Sequence, residues 1–233
     1  MISRRDMVTI VTVIFYQTSS FPALDGGTFT VFTNTKSLIM KIGFIGAGHI
    51  GKALAKKFVK AGYPVIISNS RGPGSLQPLV SELGELATAG TSEEAAGADL
   101  IVLAVMWDQT SDVLGKVKDQ LAGKIVIDAT NNMNSGATDQ PTSVVISGQI
   151  PGAKVVKAFN TLMAATLDAD PQVENGNRVL FFSGDHPDAK ETIGKIIKEF
   201  GFAGIDLGGL EQASPLTEFA KALSVQNLVS YPN

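Results

Sequence analysis

The 233-residue chain has no cysteine, two histidines, three tyrosines, and only 18% charged residues. Without cysteine it can form neither disulfides nor thiolate metal sites, and it has no thiol nucleophile. Its net charge of −3 leaves no basic field to attract nucleic acid or an anionic membrane. No apolar run approaches the length of a membrane span. We therefore expect no nucleic-acid partner, no membrane partner and no metal site.

Residues 1–39 differ in composition from the rest, with an apolar stretch at 7–16 behind Arg4-Arg5. One interpretation is a twin-arginine export signal, although no small-x-small cleavage site follows the stretch. The other is a chain that starts at Met40, preceded by an extension with no fold of its own. We favour the second interpretation, which predicts a cytoplasmic protein whose folded domain covers residues 40–233.

From residue 41 onward, short apolar runs alternate with helix-length segments, which is the rhythm of a parallel α/β sheet. The expected fold class is therefore α/β: a Rossmann-like, doubly wound, mostly parallel sheet with a short C-terminal β-α extension. The polar stretch 131–152 is predicted to be a long loop. The predicted strands are 41–45, 64–68, 86–89, 100–105, 124–128, 154–159, 178–183 and 204–207. The predicted helices are 50–61, 76–83, 92–96, 110–121, 187–200 and 215–223.

A glycine pattern joins the first predicted strand to the first predicted helix. Gly46, Gly48 and Gly51 form G-x-G-x-x-G, in which the first glycine permits a tight turn and the second lets the backbone approach a pyrophosphate. The third glycine allows close packing of helix and strand. The intervening residues would offer backbone amides at the positive end of the helix; they are Ala47, His49 and Ile50. This arrangement predicts a dinucleotide-binding site.

The end of the second predicted strand indicates which dinucleotide is bound. An acidic residue at this point would hold both ribose hydroxyls of NAD and repel a 2′-phosphate. The chain instead has Ser68, Asn69 and Ser70, which are neutral, followed by Arg71, whose cationic fork suits a phosphate. The alternative is an ordinary polar turn with a solvated arginine. The pattern favours NADP.

Four stretches resemble the NADP oxidoreductases that depend on the deazaflavin coenzyme F420. They are Ile-Gly-Ala-Gly-His-Ile-Gly at 45–51, Ser-Asn-Ser-Arg-Gly-Pro at 68–73, Leu-Ala-Val-Met-Trp-Asp at 103–108 and Val-Lys-Ala-Phe-Asn-Thr-Leu at 156–162. The last is also similar to the reductase domains of the six-transmembrane metalloreductases, which pass a hydride from NADPH to a flavin. The resemblance covers residues 40 to about 225.

This resemblance implies hydride transfer between NADPH and a small-molecule redox acceptor, either deazaflavin F420 or FMN or FAD. It also implies a nicotinamide lying along the carboxyl ends of the strands. The residues it would touch are Val105, Met106, Trp107, Thr130, Asn131, Ala158, Phe159 and Asn160. Met106 stands where the family often has proline, a departure that can change the loop facing the acceptor. Trp107 could be a stacking platform or a packing residue.

No acid-base set stands out in the sequence, so we predict no catalytic side chain. None of the three tyrosines has a lysine four residues later, and His186 is most simply a turn residue. Lys157 lies near the expected site, but a lysine in a strand is more often solvated or ion-paired than catalytic. Transfer between two rings needs placement rather than a proton donor, because the cofactor carries the chemistry. Two alternatives remain: an NADPH-binding redox sensor, and an imine or carbonyl reductase completed by homodimerisation.

Overall fold

The structure is a computed structural model that describes residues 16–22, 28–34, 39–133 and 140–232. The chain divides into two compact units, Met1–Ile39 and Met40–Asn233. In the first unit, β1 (Tyr16–Pro22) pairs antiparallel with β2 (Thr28–Asn34). Both strands lie within residues 1–39, and that this segment is an extension upstream of the native chain stays a prediction. The apolar stretch of the suspected export signal lies, apart from Tyr16, outside the described residues.

The second unit is built on a ten-stranded sheet whose central part is parallel. Along the sheet the order is β11-β10-β8-β7-β6-β3-β4-β5, and β9 and β12 pair with β10. The strands are β3 (Ile42–Ile45), β4 (Val65–Ser68), β5 (Ala87–Ala89), β6 (Leu100–Leu103), β7 (Ile125–Asp128), β8 (Lys154–Ala158), β9 (Gln172–Val173), β10 (Gly176–Gly184), β11 (Ala203–Asp206) and β12 (Val229–Ser230).

Across the sheet, six neighbouring strands follow each other as β5, β4, β3, β6, β7 and β8. If β3 is counted as the first strand, this is the order 3-2-1-4-5-6 of a Rossmann fold. Strand β10 runs antiparallel to β8 and parallel to β11, so the sheet is mixed beyond β8. The predicted α/β, doubly wound, mostly parallel architecture is confirmed. Because β3 to β8 run parallel, the loops at their carboxyl ends share one edge of the sheet. We call this edge the carboxyl edge.

Helices cover both faces of the sheet. They are α1 (His49–Lys60), α2 (Gln77–Leu83), α3 (Ser92–Ala96), α4 (Trp107–Leu121), α5 (Thr142–Gln149), α6 (Ala164–Asp168), α7 (Pro187–Glu199) and α8 (Leu210–Thr217), with a short 3-10 helix at Pro73–Leu76. One core cluster joins the sheet to α1, α2, α6 and α7, and the other joins it to α3, α4, α5 and α8. None of the helices in the described part of the chain is long and apolar enough to cross a membrane.

The structure differs from the elements predicted from the sequence, as three examples show. The segment 131–152 is not a continuous loop, because α5 lies within it. The predicted helix 215–223 is displaced: α8 ends at Thr217 and contains Pro215 in its interior. Ser214, just before this proline, donates its hydroxyl to the Leu210 carbonyl oxygen one turn earlier at 2.6 Å. Helix α6 was not predicted, since a five-residue segment carries too little periodicity.

Candidate functional site

The glycine turn between β3 and α1 has the geometry that its sequence predicts. Gly46 has a φ of 110°, and a Cβ there would lie 2.3 Å from the Ala104 carbonyl oxygen. A Cβ on Gly51 would lie 2.4 Å from the Gly46 carbonyl oxygen. Both contacts are far too short for a side chain, so only glycine fits at either position. The turn thus closes tightly against β6, and α1 begins close to the strand end.

The amino end of α1 is open to a ligand. Gly48 is its N-cap with an ordinary φ of −72°, and a Cβ there would meet nothing within 4 Å. The N-cap residue itself provides no side-chain cap, and no acidic residue lies in the first turn of α1. His49 is exposed, and Ala47 and Ile50 are half-buried. The first backbone N–H groups and the positive end of the helix dipole are therefore available to an anion.

The turn after β4 presents one cation. The Asn69 Oδ1 accepts a hydrogen bond from the Arg71 backbone N–H at 3.0 Å, and Asn69 Nδ2 donates to Ser75 Oγ at 2.9 Å. Ser70 and Arg71 are exposed, and the Arg71 guanidinium has no ion-pair partner within residues 39–133 and 140–232. Ser68 differs from expectation: it is fully buried and donates to the Phe44 carbonyl oxygen at 2.8 Å. Its hydroxyl closes the turn and is not exposed to a ligand.

Two asparagines join the loops after β7 and β8. Asn131 Nδ2 donates to the Asn160 carbonyl oxygen at 2.9 Å, and Asn160 Nδ2 donates to Asn131 Oδ1 at 3.1 Å. Asn160 Nδ2 also donates to the Thr217 carbonyl oxygen at 2.8 Å, which attaches the end of α8. Both amide hydrogens of Asn160 are therefore used, so its side chain offers a ligand no donor. Its Oδ1 is buried without a partner among the described residues.

The remaining predicted contacts divide into exposed and buried residues. Met106 is 59% exposed, and Val105 and Trp107 are half-buried against the α3–α4 core cluster. Trp107 thus has a packing role. Ala158 and Phe159 are fully buried and cannot touch a ligand in this conformation. Phe159 has a positive φ of 64°, and its ring packs 6.2 Å from that of Phe200, so the turn directs this side chain into the core.

A buried ion pair supports these loops from beneath. Lys157 Nζ lies 3.1 Å from Asp128 Oδ2, and both side chains are fully buried. The same ammonium donates to the Thr130 carbonyl oxygen at 2.7 Å. Asp128 Oδ1 accepts from the Thr130 N–H and Oγ1, and Asp128 Oδ2 accepts from Ser143 Oγ at 2.6 Å. The pair therefore fixes Thr130, the residue before Asn131. The sequence marked Lys157 as solvated or paired, but Asp128 and Ser143 were missed.

The other candidate proton donors are engaged or lie elsewhere. Tyr63 follows α1 at the opposite end of the sheet, where its hydroxyl donates to Glu199 Oε2 at 2.7 Å. Burial, followed by the hydrogen bond to Glu199, raises the pKa of Tyr63 to about 12. His186 is the N-cap of α7, which begins after the antiparallel strand β10. Among the described residues, no three His, Asp or Glu side chains gather as a metal site.

Gly48 allows a sharp test of the pyrophosphate position. We expect Gly48→Ala to reduce NADPH affinity about tenfold or more, because a methyl group would occupy the space that the phosphates need. The fold should tolerate it, since replacing an N-cap glycine by alanine costs at most about 1 kcal/mol. Gly115→Ala in α4, where a Cβ also meets nothing within 4 Å, is the matched control. Cofactor titration with thermal unfolding measures both effects, and unchanged affinity in Gly48→Ala would contradict this placement.

Comparison with known proteins agrees with this geometry. The family model described as "NADP oxidoreductase coenzyme F420-dependent" matches residues 41–132. The F420-dependent NADP reductase of Methanothermobacter thermautotrophicus is 30% identical over 222 residues, which cover 83% of this chain and 93% of that protein. A solved structure of a hypothetical protein from Sinorhizobium meliloti is 42% identical with a TM-score of 0.76, covering 84% of this chain and 98% of that one.

A second group of relatives is longer than this chain. Metalloreductase STEAP3 of Rattus norvegicus is 30% identical over 175 residues, which cover 74% of this chain. The chain spans only 35% of that protein. The match to the methanogen reductase, in contrast, extends over nearly the whole relative at the same identity. The chain therefore belongs to the family of coenzyme F420-dependent NADP oxidoreductases.

Proposed function

We propose that the chain binds NADPH across the carboxyl edge and transfers a hydride from it to a deazaflavin or flavin ring. The observation that carries the proposal is the chemistry of the loops after β6, β7 and β8. Residues 104–107, 129–133 and 159–163 contain no Asp, Glu, Lys, Arg or His. These three stretches therefore supply no ionisable side chain to serve as a proton donor.

The adenosine half of NADPH matches the residues around the first two strand ends. The pyrophosphate would lie against the uncapped start of α1, where Gly48 leaves open space. The 2′-phosphate would lie within reach of Arg71 and Ser70, which no acidic neighbour neutralises in the described ion pairs. Asn69 holds the Arg71 backbone in place through its side-chain oxygen. These features support NADPH over NADH as the cofactor.

The nicotinamide half would lie beside Met106 and the Asn131–Asn160 pair. When bound, NADPH supplies a hydride, which carries two electrons and one hydrogen to the acceptor ring. The second hydrogen of the reduced ring comes as a proton from water. A carbonyl acceptor would instead need a donor for its alkoxide oxygen. The residues of this chain need only orient two flat rings, which is the role of the rigid loops that Lys157 and Asp128 support.

A panel of acceptors tests this proposal. NADPH oxidation by the full chain is followed with F420, FMN, FAD, ferric chelates, quinones and small carbonyls or imines. We expect turnover with at least one tricyclic ring, and loss of that turnover when Asn160→Trp displaces the asparagine pair. Turnover confined to carbonyls or imines would refute ring reduction and support a dimeric reductase. NADPH binding without any turnover would identify the chain as a sensor instead.

A further inference from the structure

Three methionines are exposed at the carboxyl edge. Met106, Met133 and Met163 are 59%, 53% and 63% exposed, and they lie in the loops after β6, β7 and β8. These strands are adjacent and parallel, and β6 also pairs with β3, which leads into the glycine turn. All three methionines therefore lie on the edge where the nicotinamide is proposed to bind.

Single exposed apolar side chains are common on protein surfaces, whereas several exposed apolar side chains at one edge of a sheet indicate a binding site. Met106 and Met163 are the N-caps of α4 and α6, where side chains that bind the helix amides are normally preferred. Neither caps its helix with a side-chain hydrogen bond. Met106 and Met163 are therefore largely exposed and do not cap their helices.

We propose that Met106, Met133 and Met163 form the surface that binds the acceptor, and that this surface selects an uncharged aromatic ring. This inference rests on the proposed function, because it takes the nicotinamide to lie at the same edge. Methionine is flexible and polarisable, and its sulfur makes favourable contacts with aromatic rings. The stretches 104–107, 129–133 and 159–163, in which these methionines lie, give an anionic ferric chelate no cation to bind. Flexible side chains of this kind should accept more than one ring system.

The size of this surface favours a small molecule over a second protein chain. Neighbouring strands lie about 4.8 Å apart, so the ends of β6 and β8 are separated by about 10 Å. That span is comparable with the length of a tricyclic ring system. A stable protein interface needs about 800 Å² from each partner, which three partly exposed methionines do not supply. The strand spacing and the exposed area therefore both indicate a ring.

The test replaces all three methionines in the full-length protein. One variant carries Met106→Gln, Met133→Gln and Met163→Gln, which keeps side-chain length but adds polarity. The other carries leucine at the same positions and keeps the apolar surface. Leu86→Gln is the control, because Leu86 is 38% exposed and precedes β5, at the other end of the sheet. Binding of F420 and FMN is measured by fluorescence titration with NADP present, alongside KM, kcat, NADPH affinity and thermal unfolding.

We expect the glutamine variant to weaken binding of both rings about tenfold or more, since each methionine contributes about two- to tenfold. The leucine variant should stay within about threefold of the unaltered protein, because it retains the buried area. The unfolding temperature should change little in either variant, and so should the preference for NADPH over NADH, because that preference is proposed to depend on Arg71 and not on these methionines. If the unaltered protein binds rings through these methionines without reducing them, the inference stands and ring reduction falls.

Two results would overturn the inference while leaving NADPH binding intact. The first is equal affinity of the glutamine variant and the unaltered protein for both rings, or no measurable ring binding by the unaltered protein. The second is a dimer in size-exclusion chromatography that the glutamine variant converts to a monomer, which would make this surface an interface between two copies. The affinities for NADPH and NADH are measured in the same protein samples. If NADPH still binds more tightly than NADH while ring binding is unaffected by the substitutions, the acceptor surface is refuted but the cofactor assignment is not.

Discussion

Replacing Lys157 by methionine should lower the free energy of unfolding by about 3–5 kcal/mol, because Asp128 would become an unpaired buried charge. Both side chains are fully buried, and the ammonium also holds the Thr130 carbonyl oxygen. The loss is measured by urea denaturation as a fall in midpoint at constant slope. Adding Asp128→Asn should recover more than half of it, since an amide keeps an acceptor for Thr130 without the charge.

Lys154 gives a matched control on the same strand. Its ion pair with Asp188 is partly exposed, with 63% of the Asp188 side chain accessible. An exposed pair contributes about 0–1 kcal/mol, so Lys154→Met should have little effect on unfolding. Equal losses in the Lys157 and Lys154 variants would show that the buried pair has no special role. A double variant no more stable than Lys157→Met alone would contradict the unpaired-charge explanation.

Replacing Arg71 by alanine should raise the Kd of NADPH about ten- to hundredfold and change that of NADH little. A hydrogen bond to a charged group contributes about 1.5–3 kcal/mol, and each 1.4 kcal/mol is a factor of ten. Fluorescence titration with both cofactors measures the difference. Because Arg71 is exposed, the difference in NADPH Kd between the unaltered protein and Arg71→Ala should narrow as ionic strength rises.

Two further variants separate phosphate recognition from general electrostatics. Arg71→Lys should fall between the unaltered protein and Arg71→Ala, since a lysine keeps the charge but loses the planar fork. Lys118→Ala removes an exposed charge from the last turn of α4 and should leave both affinities unchanged. Equal affinity of the unaltered protein for NADPH and NADH would refute the NADP assignment.

The glycine turn and the exposure of Arg71 could be predicted because their determinants are local. The glycine spacing sets a turn within six residues, and the structure confirms why Gly46 and Gly51 tolerate no side chain. Arg71 follows directly from the end of β4 and remains exposed as its polar neighbours imply. Short-range patterns of this kind depend on backbone geometry that the sequence itself specifies.

The loops after β7 and β8 depend on contacts between distant residues, which the sequence pattern does not reveal. Helix α5 was missed because its first turn is capped from elsewhere: the Thr142 N–H donates to Glu218 Oε1 at 2.7 Å. The Lys157–Asp128 pair requires the register of β7 against β8. Phe159 was expected to face the nicotinamide, but its positive φ turns the ring inward. Backbone reversals and long-range pairs therefore account for the missed features.

The exposed methionines also determine where the protein is most readily oxidised. The chain has no cysteine, so methionine is its oxidisable sulfur residue. Among the four methionines in the described ranges, Met40 packs against the core, while Met106, Met133 and Met163 are open to solvent. Peroxide converts such thioethers into polar sulfoxides, which methionine sulfoxide reductases reverse. Among the described residues, oxidation should therefore begin in the loops after β6, β7 and β8 and spare the glycine turn and Arg71, so that loss of ring binding precedes loss of the preference for NADPH.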